Sequence, residues 1–213
     1  MLKMRPLLEK YAHVIWDWNG TLLNDVAYCV ATVNSLLKTH DLPLLSEDTY
    51  REVFGFPVKD YYVKAGFDFN RESFESLGKK FMDMYASGVN ECDLMGGARD
   101  LLKSIKQDGK TQSILSATEQ IFLNQVISRY ELNDHFHNVY GIDNIWAASK
   151  LESGHKLIQA SGIPSKETVL IGDTDHDHEV GEALGVDVIL VSHGHHSHER
   201  LQRRHHTVVN IFD

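Results

Sequence analysis

Short apolar runs that stop abruptly at an acid or a hydroxyl constrain the fold of this chain most. His13-Val14-Ile15-Trp16 is nearly all apolar and ends in Asp17. Such a run is too short for a buried helix and fits a central strand of a parallel sheet. Similar runs occur at Thr111–Leu115, Thr168–Ile171 and Val186–Val191, with a weaker one at Asn138–Tyr140. Amphipathic helical stretches separate them, at Ala98–Gln107, Gln120–Arg129, Lys150–Ala160 and Asp177–Leu184. Strands alternating with helices of that length imply right-handed crossovers and an α/β fold, with a Rossmann-like parallel sheet covered on both faces.

The segment from Asn24 to Cys92 breaks this rhythm. Helical periodicity runs through Val26–Thr39, Glu47–Phe54, Val58–Ala65 and Arg71–Tyr85, without a strand pattern. Leu42-Pro43, Phe56-Pro57, Ala65-Gly66 and Ser87-Gly88 punctuate it as turns. The expected division is a Rossmann-like core made of 1–23 and 93–213, with an all-helical cap, 24–92, inserted after the first strand. A chain of 213 residues, 42% of them hydrophobic, is long enough for one core and a modest second module.

Composition excludes several partners. The formal net charge of -9 repels nucleic acid and anionic membranes. The basic stretch Arg203-Arg204-His205-His206 is too short to reverse this and reads as solvated surface. No run approaches the ~20 apolar residues of a membrane span. Met1–Pro6 leads into a polar segment, so no signal peptide is expected. Cys29 and Cys92 are too few for a disulfide scaffold, and Cys29 lies in an apolar helical stretch. A reducing, cytoplasmic setting is expected. Nothing in the pattern specifies an oligomeric state.

Four short patterns stand at or just beyond the C-terminal ends of strands, the edge where open parallel sheets bind ligands. Asp17-Trp18-Asn19-Gly20-Thr21-Leu22 puts an acid on a tight loop after the first strand. Ser116 closes the strand Ser113-Ile114-Leu115, so its hydroxyl and the N–H of Ala117 can hold a phosphoryl oxygen. Lys150 opens a helix with a compact positive charge suited to an anion. Gly172-Asp173-Thr174-Asp175-His176-Asp177 crowds carboxylates after Val169-Leu170-Ile171. Such carboxylates repel one another unless a cation sits among them, and hard oxygen donors favour Mg²⁺. Singly, Asp17 reads as a turn residue and Asp173 and Asp177 as helix caps. It is their occurrence together, in this order, that selects a catalytic reading.

The first pattern resembles the D-x-D-G-T-L signature of the haloacid dehalogenase superfamily, and the last resembles its G-D-x-x-x-D motif. Ser116 and Lys150 match the two intervening motifs in order. The likeness spans nearly the whole chain and includes a helical cap after the first strand, as in phosphoglycolate-phosphatase-like members. It implies a Mg²⁺-dependent phosphatase acting on a small phosphorylated metabolite. Asp17 would be the nucleophile that forms an aspartyl phosphate. Asp17, the Asn19 backbone carbonyl and Asp173, with Asp177 nearby, would hold the metal. Ser116, Ala117 and Lys150 would cradle the phosphate.

Two positions depart from the family pattern. Asn19 stands where phosphatases usually carry a second Asp to protonate the leaving oxygen. An amide cannot transfer that proton, and general acid–base help is typically worth about 10²–10⁴-fold. Asn19→Asp is therefore expected to restore a proton donor. Leu151 follows the motif lysine where Pro is common. The departure at Asn19 keeps two rivals in view: a dehalogenase or phosphonate hydrolase using the same nucleophile, and a slow relative that mainly binds a phosphorylated ligand. His193, His195, His196 and His198 are read as a solvated loop, with His193 the one to approach the site, and His176 as facing solvent or the cap. Trp18, Phe54, Phe56, Tyr61 and Tyr62 are read as packing residues, although Gly55-Phe56-Pro57 matches the cap loop that meets substrate in relatives.

Overall fold

The structure, a computed structural model, describes residues 4–143, 150–203, 205 and 208–209. Its centre is a six-stranded, wholly parallel sheet in the order β3-β2-β1-β4-β5-β6. The strands are β1 (His13–Trp16), β2 (Thr111–Glu119), β3 (Asn138–Ile142), β4 (Thr168–Gly172), β5 (Asp187–Val191) and β6 (Val208–Val209). After β1 the chain winds outward one way to β3, then returns to β4 and winds the other way. The crevice between β1 and β4 is therefore the topological switch point, where doubly wound sheets bind ligands.

Side-chain alternation along β1 shows how the layers form. Val14 and Trp16 join one buried cluster and Ile15 the other. The first cluster takes in helices α6 (Ala98–Gln107) and α7 (Gln120–Arg129), and the second takes in α8 (Lys150–Ser161) and α9 (Asp175–Leu184). A strand buried on both faces reads as a continuous apolar run, which is why the alternation is invisible in the sequence. A short α1 (Met4–Leu8) precedes β1, and α10 (His198–Gln202) follows β5.

The cap holds α2 (Val26–Thr39), α3 (Glu47–Val53), α4 (Val58–Lys64) and α5 (Phe74–Gly88). The chain leaves and re-enters the core through a narrow neck. Asn24 N–H donates to Asp93 O at 2.9 Å, Met95 N–H donates to Leu22 O at 2.8 Å, and Leu23 pairs antiparallel with Leu94. One hydrophobic cluster runs through the neck, joining Val14 and Trp16 of the sheet to Leu36, Tyr62 and Leu77 of the cap. Trp18 and Cys29 are buried in it, as expected.

Element boundaries differ from the sequence reading where capping or register decides them. β2 continues past Ser116 to Glu119, with a register shift against β3 between Leu115 and Glu119. α9 begins at Asp175 because Thr174 caps it, its hydroxyl taking the Asp177 N–H while Asp177 bonds back to the Thr174 N–H. α5 starts at Phe74, after the cap residue Ser73. The elements α1, α10 and β6 are too short to show a period in sequence. No described helix is long and apolar enough to cross a membrane.

Candidate active site

Hydrogen bonding between β1 and β4 sets the site. Asp17 N–H donates to Ile171 O at 2.8 Å, so the acid that ends β1 lies beside the loop that ends β4. Oxygens of Asp17, Asp173 and Asp177, all three buried, lie within 4.8 Å of one another. Lys150 Nζ reaches into this group, 2.6 Å from both Asp17 Oδ1 and Asp177 Oδ1. Three of the four sequence patterns thus converge on one point.

Each acid is held by its neighbours. Asp173 accepts from the Thr21 hydroxyl at 2.8 Å and from the His195 N–H at 2.6 Å, which gives the Gly20-Thr21 pair its place. Gly20 has φ +69°, and a Cβ there would stand 2.4 Å from Asp173 Oδ2; at Gly194 one would stand 2.1 Å from the same oxygen. Two glycines therefore let two loops close on one carboxylate. Asp177 has a double task. Its Oδ2 accepts from Thr174 N and Asp173 N, and its Oδ1 accepts from Lys150. Asp177 thus caps α9 and also stands beside Asp17 and Asp173.

The electrostatics ask for a cation. Burial pushes Asp17 well above the usual carboxylate range, with the charges of Asp177 and Asp173 adding to the effect against Lys150. Burial likewise pushes Asp173 up to about 6. Asp177 stays below its ordinary value, because Lys150 and its hydrogen bonds outweigh burial. Lys150 is itself held charged by Asp17 and Asp177 despite complete burial. Two of three close carboxyls are thus disfavoured as anions, and all the donor atoms are hard oxygens. That donor set fits Mg²⁺.

The residues expected to cradle a phosphate are placed less uniformly. Ala117 and Lys150 line the cavity above the acids. Ser116 is buried, and its hydroxyl accepts the Thr118 N–H at 3.1 Å. Thr118 also lines the cavity, and no motif marks it in sequence.

Asn19 is tied at both ends of its amide. Oδ1 accepts from the Thr118 hydroxyl at 2.7 Å, while Nδ2 donates to Asp25 Oδ2 at 2.9 Å and to the Tyr85 hydroxyl at 2.7 Å. Asp25, fully buried, also accepts from Gly20 N–H at 2.9 Å and Tyr85 O–H at 2.6 Å, and lies 3.4 Å from His195 Nε2. Burial opposes the charge on Asp25, but His195 and these donors hold its carboxyl below the ordinary range. Burial opposes His195 too, yet Asp25, Asp173 and Asp17 push it up to about 9. Asp25 and His195 therefore form a buried ion pair beside Asn19. Cys29 Sγ joins at 3.6 Å from Asp25.

This corrects the reading of the histidine loop as solvated. His195 and His196 are buried, and it is His195 that lines the cavity. His193 Nε2 instead pairs with Thr21 O at 3.1 Å. His205 bonds Asp175 at 3.0 Å rather than facing solvent, and Arg203 pairs with Glu52; Arg204 and His206 lie outside the described residues. The loop is buried because it fastens the cap. Arg200 Nη1 donates to the carbonyls of Arg51, Glu52 and Phe54 at 2.9, 3.1 and 2.6 Å, and Nε bonds Asp175 at 3.1 Å. Arg51 Nε returns a bond to Gly194 O at 3.0 Å, and Tyr50 OH meets His195 Nδ1 at 2.9 Å. Arg200 thus satisfies carbonyls left open at the end of α3. Arg200→Ala should lower stability by about 2 kcal/mol, the scale of a charged hydrogen-bond set. Freeing Phe54, it should raise KM more than it lowers kcat; urea unfolding and steady-state kinetics check both.

Between cap and core lies a cavity of about 250 Å³ with Asp17, Lys150 and Asp177 on one side and cap aromatics on the other. Phe54, Phe56, Tyr61 and Tyr62, read from sequence as packing residues, all line it. Phe56 also stacks on His176, their rings 4.6 Å apart, so His176 faces the cap.

Residues 14–191 match the family model of haloacid dehalogenase-like hydrolases, a span that takes in the cap and the strands β1 to β5. The chain belongs to that family. Among its relatives, tyrosine-protein kinase PtkA of Mycobacterium tuberculosis is 23% identical over 92% of this chain and 67% of its own length. The phosphoglycolate phosphatase of Caulobacter vibrioides is 25% identical over 86% of this chain and 80% of its own. A haloacid dehalogenase-like hydrolase of known structure from Streptococcus pneumoniae superposes with a TM-score of 0.80 at 16% identity, covering 94% of each chain. The last likeness supports the fold.

Proposed function

We propose that this haloacid dehalogenase-like hydrolase is a Mg²⁺-dependent phosphatase acting on a small phosphorylated metabolite through an aspartyl phosphate on Asp17. The observation that carries the reading is the buried Asp17–Asp173–Asp177 group with Lys150 Nζ bridging two of its members. An Asp17 oxygen attacks phosphorus, the P–O bond to the leaving group breaks, and the leaving oxygen departs with the bonding pair. Water then attacks the same phosphorus, the Asp17–phosphate bond breaks, and inorganic phosphate leaves. Lys150, the Ala117 N–H and the Ser116 hydroxyl are the donors proposed for the phosphoryl oxygens. Asp17, Asp173, Asp177 and the Asn19 carbonyl would hold a divalent cation, which when bound supplies neutralisation of the nucleophile–phosphate repulsion. The residues 24–92 are taken as the specificity cap.

Relatives named phosphoglycolate phosphatase and N-acetylmuramic acid 6-phosphate phosphatase support phosphomonoester chemistry. The dehalogenase alternative leaves Asp173 and Asp177 without a chemical task. Phosphate release with Mg²⁺ and none in EDTA is the expected result, with inhibition by Ca²⁺, whose larger shell accepts both oxygens of a carboxylate. Undiminished turnover in EDTA would overturn the metal-dependent reading.

A further inference from the structure

The wall opposite the acids is aromatic. Phe54, Phe56, Tyr61, Phe74, Phe81 and Tyr85 line the cap side of the cavity. They form two groups: Phe54 lies edge-on to Phe56 and Tyr61, with centroids 5.7 and 5.2 Å apart, and Phe81 stacks on Tyr85 at 5.9 Å. The charged groups lining the cavity sit elsewhere or are engaged. Asp17, Lys150 and Asp177 bind one another, and Asp25 pairs with His195. Glu119 caps α7, and the exposed Lys59 has its ammonium 5.6 Å from the Phe69 ring. A leaving group that fills this space therefore meets ring faces and edges, which favour an aromatic guest in offset or edge-to-face contact.

A second, independent observation concerns the departure of the leaving oxygen. The Asn19 amide donates to Asp25 and Tyr85 and accepts from Thr118, so both of its ends are occupied and it holds no transferable proton. With no donor at position 19, and with His195 and Tyr85 held by Asp25, a leaving group that can go as its own anion is favoured. A phenol ionises near pKa 10, whereas an alkyl alcohol is far weaker as an acid, so an aryl oxide can leave unassisted where an alkoxide cannot.

We infer that the site takes aryl phosphomonoesters, with the aromatic ring seated against the cap aromatics and the phosphoryl group over Asp17. This rests on the phosphatase reading above and names the substrate class within it. Sugar phosphates and glycolate phosphate meet neither condition: they present hydroxyls or a carboxylate to the ring wall and a poor leaving group to Asp17.

The test is kcat/KM of the full chain with Mg²⁺ on four probes: phenyl phosphate, cyclohexyl phosphate, acetyl phosphate and glycolate phosphate. Phenyl phosphate should exceed glycolate phosphate by at least about 100-fold, the low end of what loss of a general acid implies. Cyclohexyl phosphate fits the cavity but leaves badly, and should be slow in kcat. Acetyl phosphate leaves well but lacks the ring, and should be weak in KM. Phe81→Leu should raise KM for phenyl phosphate. Efficient turnover of glycolate phosphate, or equal rates on phenyl and cyclohexyl phosphate, would overturn the aryl assignment and leave the phosphatase reading intact. No phosphate release from any of the four would overturn both.

Discussion

Asp17→Asn should remove turnover while leaving the protein folded. Loss of a nucleophile from a covalent mechanism costs on the order of 10⁴–10⁶ in kcat, so residual activity should fall to the detection limit in a phosphate-release assay. The fold should survive because Asn is isosteric and Lys150 Nζ keeps its 2.6 Å bond to Asp177. Stability should move in a direction that is itself informative. Burial raises the Asp17 carboxyl in the folded state, so ionisation there costs stability as pH rises above the ordinary carboxylate range. Asn cannot ionise, and metal-free Asp17→Asn should therefore melt at or above wild type at neutral pH. With Mg²⁺ the order should reverse, because wild type gains more from the ion through its extra carboxylate. Melting curves with EDTA and with Mg²⁺ check the reversal. Activity near that of wild type would remove Asp17 from the nucleophile's role.

The sheet and the acids at its C-terminal edge were legible because their signals are local. A short, mostly apolar run ending in Asp17 specifies a buried strand and an acid at its end, and the same holds for Thr168–Ile171 shortly before Asp173. The histidine loop was not legible, because nothing near His195 in sequence announces Asp25, 170 positions away, or the α3 carbonyls that Arg200 caps. A buried ion pair between distant residues leaves no periodic trace. Asp25 itself reads as an ordinary start to α2, and only the fold shows that it holds Asn19, Gly20 and Tyr85 at once. Beyond the Gly55-Phe56-Pro57 loop, the aromatic cavity was missed for a related reason. Phe54 and Phe56 are hydrophobic whether they face a core or a ligand, and composition cannot separate the two.

That unseen Asp25 changes what Asn19→Asp should do. From sequence alone the substitution supplies a missing proton donor. In the structure Asn19 Nδ2 donates to Asp25 Oδ2 at 2.9 Å, so a carboxyl in its place sets two buried acids at hydrogen-bond distance. Like charges so close cannot both ionise, and the pair must take up a proton. Its carboxyl is then raised in the folded state, which destabilises the variant at pH above the ordinary carboxylate range and leaves it near wild type below that range. Asn19→Asp should lose about 3–5 kcal/mol at neutral pH, the scale of a buried charge left without its partner. The loss should shrink towards about pH 4, where both states are protonated. Exchanging the two groups, in Asn19→Asp with Asp25→Asn, keeps one acid and one amide facing each other. The Thr118 and Tyr85 hydroxyls can still donate to the new carboxylate, and the amide oxygen at position 25 can still accept from Gly20. The double variant should recover the part of the loss that comes from the two facing acids, while Asp25→Asn still costs the pairing with His195, and urea unfolding of the two singles and the double gives the coupling directly. It should also be the form in which alkyl phosphates gain rate, by up to about 10²–10⁴-fold, because its carboxyl faces the cavity without a competing acid behind it. Equal stability of Asn19→Asp and wild type at neutral pH would show that Asp25 does not govern position 19, and would return the choice of Asn to the chemistry of the leaving group alone.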